Sequence, residues 1–260
     1  MLYILFFVIA VLTTGIGAVV GMGGGVIMKP LLDAVSGLDA VAVTAISSCA
    51  VFAMAAVNVA RHIRQKSPLP YAVAVPLSLA SLLGGALGQL ALEALAQTLR
   101  LGGCLGLVQN GLLCLLLLGT LVYTLDRDHL RSYAAKGLLP PLAAGLALGF
   151  LSAFLGIGGG PFNVAVLLLL FSLEIKEAAL CSMLMILCAQ STKLLKAMAS
   201  GSFPAVEPEL LLAAVAGAVL GGWAGVWLHK KLSTRTTERC YLYVQAVVLG
   251  LTLWNIVHAS

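Results

Sequence analysis

Two lysines, Lys29 and Lys193, fall within or close to stretches of the chain that are otherwise apolar. A cation in such a setting is costly and marks a pathway or a counter-ion by default. The alternative is that its long stem carries the ammonium to the interface. For Lys29 both readings stand. Lys193, nearer a helix end and close to Lys196, is expected to reach the interface. Just before Lys29 stands Gly21-Met22-Gly23-Gly24-Gly25, and the pattern returns as Gly156-Ile157-Gly158-Gly159-Gly160. Four glycines in five positions cannot continue a helix, because each costs about 1 kcal/mol there. They let backbone amides approach a ligand closely and take up positive φ. A helix starting just after such a break aims its free N–H groups and positive dipole end at the cavity, which suits an anion. Glycines alone also permit close helix packing. Two breaks at corresponding places in two halves favour a substrate site.

Small polar side chains follow each break. Thr44, Ser47, Ser48 and Asn58 share one face by i, i+3, i+4 spacing. The matching face of the second copy carries Ser182 and Thr192-Lys193, with Gln190 beside it, and Asn163 just follows the second break. Hydroxyls and amides can donate to sulfonate or carboxylate oxygens. The hydroxyls can equally bond back to their own helix. These side chains, the two lysines and the eight glycines of the breaks form the candidate substrate-binding set.

Other chemistry is scarce. Asp33, Asp39, Glu93, Glu174, Glu177, Glu207 and Glu209 all fall at expected helix ends, and His62, His129, His229 and His258 lie near loops. A proton relay or an intramembrane enzyme needs carboxylates or histidines at depth, so neither is expected. No cofactor, CxxC metal site or phosphate-binding GxxxxGK[ST] is present. Five of the six cysteines lie in apolar runs and read as small hydrophobes. Cys181 and Cys188, seven apart and on one helix face, leave open a thiol-assisted relay or importer of a sulfur species such as thiosulfate.

The elements that must position these residues are membrane helices. Of the 260 residues 61% are hydrophobic and 10% charged, with mean hydropathy +1.06. A soluble domain carries about 25% charged residues. Apolar runs of about 20 residues recur, the length of membrane-crossing helices rather than barrel strands. The runs are 2–20, 26–35, 40–60, 69–92 and 101–125, then 138–155, 161–173, 178–198, 206–228 and 240–258. The N-terminus lacks the basic region of a cleavable signal and reads as the start of the first helix. The net charge of +5 suits loops facing an anionic inner leaflet, not nucleic acid.

The halves repeat. A shift of 135 places Gly21 on Gly156, Ser47 on Ser182 and Asn58 on Lys193; a shift of 137 places Gly84-Gly85 on Gly221-Gly222. Residues 1–125 form a first transmembrane repeat, 126–136 a cytoplasmic linker and 137–260 a second repeat. If each Gly-broken first segment starts and ends on one side, each half crosses three further times and the halves are inverted. Loops 61–66, 126–136, 174–177 and 229–239 then face the cytoplasm with eleven of the 15 Lys and Arg, as the positive-inside rule requires. Eight plain crossings would put the basic 229–239 loop outside. The expected fold is all-α integral membrane, two inverted repeats of four helical segments, each first segment re-entrant or discontinuous. Residues 2–20 are long enough to cross alone.

The stretches GMGGGVIMKPLL with LDAVAVTAISS, and GIGGGPFNVAVLLLL with LEIKEAALCSMLMILCAQSTK, resemble the TauE/SafE family of sulfite and organosulfonate exporters. The likeness spans essentially the whole chain. It implies a multi-pass transporter of the cytoplasmic membrane, exporting sulfite, sulfonate or a related organic acid anion. An inside-negative potential drives an anion outward by about 2.3 kcal/mol per charge per 100 mV. The first copy departs from the family pattern, with Val26 where the second has Pro161. A homodimer is left open as an assembly.

Overall fold

The computed structural model describes residues 2–64, 69–98, 102–126, 133–201 and 203–258. Among them all regular structure is helical: α1 (Leu2–Val20), α2 (Gly25–Val35), α3 (Ala40–Arg64), α4 (Tyr71–Thr98), α5 (Gly102–Leu125), α6 (Leu139–Leu155), α7 (Pro161–Phe171), α8 (Ile175–Ala199), α9 (Pro208–Lys231) and α10 (Thr234–His258). Seven of these are long and apolar enough to cross a membrane; α2, α6 and α7 are shorter. Lys66 and most of the 126–136 loop lie outside the described residues.

Helix positions follow the apolar runs, with differences at the ends. α8 begins at Ile175 rather than 178, because Glu174 and Glu177 form a capping box that satisfies amides of the first turn. α4 continues to Thr98, which puts Glu93 inside a helix, where it accepts from Gln89 Nε2 at 2.9 Å. Asp33 also lies within a helix, one turn after Lys29. The outer surface is apolar: Leu12, Leu79, Leu83, Leu115, Val122 and Leu212 are all more than half exposed. In water such a belt would be unfavourable; in lipid it costs nothing.

With no hydrophobic drive between helices in lipid, small residues set the packing. α1 lies on α9 and α6 on α4, each through glycines with no room for a side chain. A Cβ at Gly221 would stand 2.2 Å from the Val11 carbonyl oxygen, and one at Gly225 2.3 Å from that of Gly15. On the other pair, Gly84 meets the Leu146 oxygen at 2.3 Å and Gly88 that of Phe150 at 2.4 Å. Gly85 packs on Ala189 of α8, and Gly222 on Met54 of α3. Partners in one set are those of the other shifted by 135. The register also gives direction. α9 runs alongside α1 in the same sense, since Gly217 meets Phe7, Gly221 meets Val11 and Gly225 meets Gly15. α4 runs in the sense of α6 by the same pairing, and in the sense of α8, where Ser81 Oγ donates to the Met185 oxygen at 3.1 Å.

Candidate functional site

Both glycine stretches end one helix and begin another: α1 stops at Val20 and α2 starts at Gly25; α6 stops at Leu155 and α7 starts at Pro161. The turn needs left-handed backbone, and corresponding glycines supply it: Gly21 (φ 76°) with Gly156 (φ 68°), and Gly23 (φ 67°) with Gly158 (φ 70°). Neither following helix has a side-chain N-cap. α7 opens with proline, which has no N–H to leave unpaired.

The two breaks meet each other and the long helices of the opposite half. A Cβ at Gly25 would lie 2.2 Å from the Ile157 oxygen. A Cβ at Gly21 would lie 2.1 Å from Ala179, and one at Gly156 2.2 Å from Thr44. Gly23 faces Ile186 and Gly158 faces Val51. Gly24 is closed against Thr14 of α1, Gly159 against Asn163 and Ile186, and Gly160 against Phe162 and Val26. Each break is therefore wedged against a long helix of the opposite half, the first against α8 and the second against α3.

Polar side chains gather here. Lys193 is 3% exposed, and its Nζ donates to Ser48 Oγ at 2.7 Å, across from α8 to α3. It turns inward instead of reaching the interface, because Ser48 stands opposite on a neighbouring helix. Ser48 in turn donates to the Thr44 oxygen at 2.6 Å. Lys29 is 1% exposed and pairs with Asp33 Oδ2 at 3.3 Å, and it lies within electrostatic reach of Lys193. Asp33 stands i, i+4 from Lys29, the spacing at which oppositely charged side chains meet on a helix. Asn163 Nδ2 contacts Ser182 Oγ at 3.5 Å, and Gln190 Nε2 approaches Gly158.

Several of these groups are buried without a partner: Thr44 Oγ1, Ser47 Oγ, Asn163 Oδ1 and both amide atoms of Gln190. Each such atom costs about 1–3 kcal/mol, so a cluster of them calls for an occupant. Two members of the candidate set stand apart. Thr192 bonds back to the Ala189 oxygen at 3.1 Å and packs on Gly85. Asn58, also without partners, lies toward the other end of α3, beside Gly222 of α9. A cavity of about 30 Å³ touches Thr44, Gln89 and Lys193 and is capped by Phe203 and Pro204. That is the volume of about one water, less than a sulfonate group needs.

Two residues of α10 hold the short helices and were not foreseen. Tyr241 donates to the Pro161 oxygen at 2.6 Å, and Asn255 Nδ2 to the Pro30 oxygen at 2.7 Å. Their only sequence signal was polarity inside an apolar run. The cysteines contribute little. Cys181 is fully buried in the apolar core, while Cys188 is half-buried.

Long apolar helices packed around a buried, under-satisfied polar cluster at two backbone breaks define a multi-pass membrane protein. The family comparison makes this specific: residues 6–253 match the model described as Sulfite exporter TauE/SafE, and the chain belongs to that family. It is similar to the "Probable membrane transporter protein YunE" of Bacillus subtilis (strain 168), with 36% identity over 95 residues. That match spans 36% of this chain and 34% of the relative. No solved structure matches. The chain is thus a multi-pass membrane protein of that family.

Proposed function

We propose that this chain is a secondary transporter that exports sulfite, an organosulfonate or a related small anion, held near the midplane between the two glycine breaks. One observation carries this reading. The inward-turned Lys193 bonds Ser48 and shares a small cavity with Thr44, while Thr44, its helix neighbour Ser47, and Gln190, one turn before Lys193, carry buried polar atoms without partners. An anion's oxygens would accept from the Thr44 and Ser47 hydroxyls and from Gln190 Nε2, and the ammonium would balance its charge. Lys29, held by Asp33, is the second cation, and Asn163 with Ser182 forms the neutral counterpart beside the second break.

Inverted halves, 1–125 and 137–260, are part of the proposal. Its support is the helix register. α9 follows α8 after the eight residues 200–207, which reach at most about 29 Å, less than the roughly 37 Å of α8. α9 therefore runs back against α8, and so against α4 and α6. α1 shares the sense of α9, so α1 and α6 point oppositely. In this arrangement each Gly-broken unit enters and leaves on one side. Gly21 reaches the start of α8, Gly156 reaches the start of α3, and the breaks cross between.

The test is flux of sulfite and a sulfonate panel from proteoliposomes. Saturable, anion-dependent transport that is lost in Gly158→Leu supports the reading. Absence of such a signal for every anion, or unchanged transport in Gly158→Leu, overturns it. The thiol-relay alternative gains nothing from the sealed position of Cys181.

A further inference from the structure

At the end of α3 opposite the lysine cluster, cations and indoles are stacked on the outer surface. Trp223 and Trp227 lie one turn apart on α9 and are 56% and 49% exposed. The Arg61 guanidinium sits 5.2 Å from the Trp223 ring centroid while its Nη1 donates to the Trp223 oxygen at 2.9 Å. Lys231 Nζ sits 3.7 Å from the Trp227 ring centroid. Such pairs hold charge at the depth of the interfacial aromatic belt. His62, next along α3, lies within electrostatic range of Arg61, His229 and Lys230. Among the described residues of this end, Arg64, Lys230 and Lys231 are exposed.

His62 also lines a cavity of about 460 Å³. Its other walls include Val59, Leu69, Val75, Leu180 and Leu184, from the last turns of α3, the start of α4 and the start of α8. Ile63 and Tyr71 at its mouth are 71% and 69% exposed. All three helices are long enough to cross a membrane, and the groove lies at the end of α3 that carries Arg61 and Arg64. Arg61 and Lys230 stand outside the groove's walls, within electrostatic range of His62.

We propose that this groove and its rim form a binding site for one anionic phospholipid. An acyl chain lies in the apolar groove, and the phosphate is held by Arg61 and Lys230 beside His62. The charge of the rim selects the headgroup, and a zwitterionic lipid, with no net charge, gains little from it. Nothing in this site depends on the transported anion.

The test uses the full chain purified in detergent and titrated separately with dioleoyl phosphatidylglycerol and dioleoyl phosphatidylcholine, with bound lipid counted by native mass spectrometry. The proposal expects phosphatidylglycerol to be retained preferentially. Each cation removed should weaken that retention about fivefold, and Arg61→Gln/Lys230→Gln about thirtyfold, bringing it to the level of phosphatidylcholine. Val59→Trp, which fills the groove, should lower occupancy by both lipids while the charges remain. Circular dichroism and gel filtration identify any variant that fails to fold, and Lys230→Gln alone, at an exposed site, keeps the test open if the double variant does. Equal retention of the two lipids overturns the proposal. So does unchanged retention in the charge variants, or a dimer that excludes lipid from the groove.

Discussion

Lys193→Met separates a binding role from a folding role. Methionine keeps the length of the side chain and removes the charge. Ser48, which accepts from Lys193 at 2.7 Å, also donates to the Thr44 oxygen at 2.6 Å, so the substitution leaves its hydroxyl satisfied. Among the described residues Lys193 has no carboxylate partner, and a buried ammonium is costly. The variant should therefore fold as well as the parent, with an unchanged or higher Tm. Its affinity should fall. A hydrogen bond to a charged group contributes about 1.5–3 kcal/mol, which is roughly a 13- to 160-fold rise in KM for the exported anion. The assay is sulfonate or sulfite flux from proteoliposomes over a concentration series, with Tm read in parallel. Lys196→Met, one turn further along α8, is the control and should leave KM within about twofold. A KM for Lys193→Met within threefold of the parent, at normal Tm, would refute the assignment of Lys193 to the anion.

Lys29→Met leaves the partly exposed Asp33 carboxylate without its ammonium and should cost about 1–3 kcal/mol; Lys29→Met/Asp33→Asn should recover most of that loss in thermal denaturation. Gly156→Ala combines a positive φ with a contact 2.2 Å from Thr44 and should abolish stable expression, whereas Gly37→Ala, also at positive φ but with nothing within 4 Å, should lose only about 1–2 kcal/mol and keep transport. Asn255→Ala removes the hydrogen bond to the Pro30 oxygen and should lower stability by about 1–3 kcal/mol, read as a shift in the thermal midpoint. Cys181→Ser/Cys188→Ala should transport at the parent rate; loss of flux in a folded variant would revive the thiol relay.

The helices were legible because run length in an apolar sequence leaves few alternatives, and the two breaks because glycine at that density cannot continue a helix. What could not be read was the direction in which side chains turn. Lys193 was expected at the interface because its distance from the end of α8 permits it. Ser48, 145 positions away, decides the matter, and only the packing of α3 on α8 brings them together. Asp33 was counted as a helix-end residue because 26–35 is so short that every position lies near an end. Thr192 matched the face by spacing, yet Gly85 brings α4 so close that the hydroxyl folds back on its own helix. Tyr241 and Asn255 had no local pattern at all, since their partners are carbonyls of the broken units.

The central claim is that the anion sits where the two breaks cross. Selenite, a heavier analogue of sulfite, can be soaked into crystals of the protein and located by its anomalous signal. The account predicts one peak between the breaks, with oxygens about 2.7–3.2 Å from Lys193 Nζ and from Thr44 or Gln190. A peak only in the apolar groove beside His62, or none at a concentration that saturates transport, would contradict it.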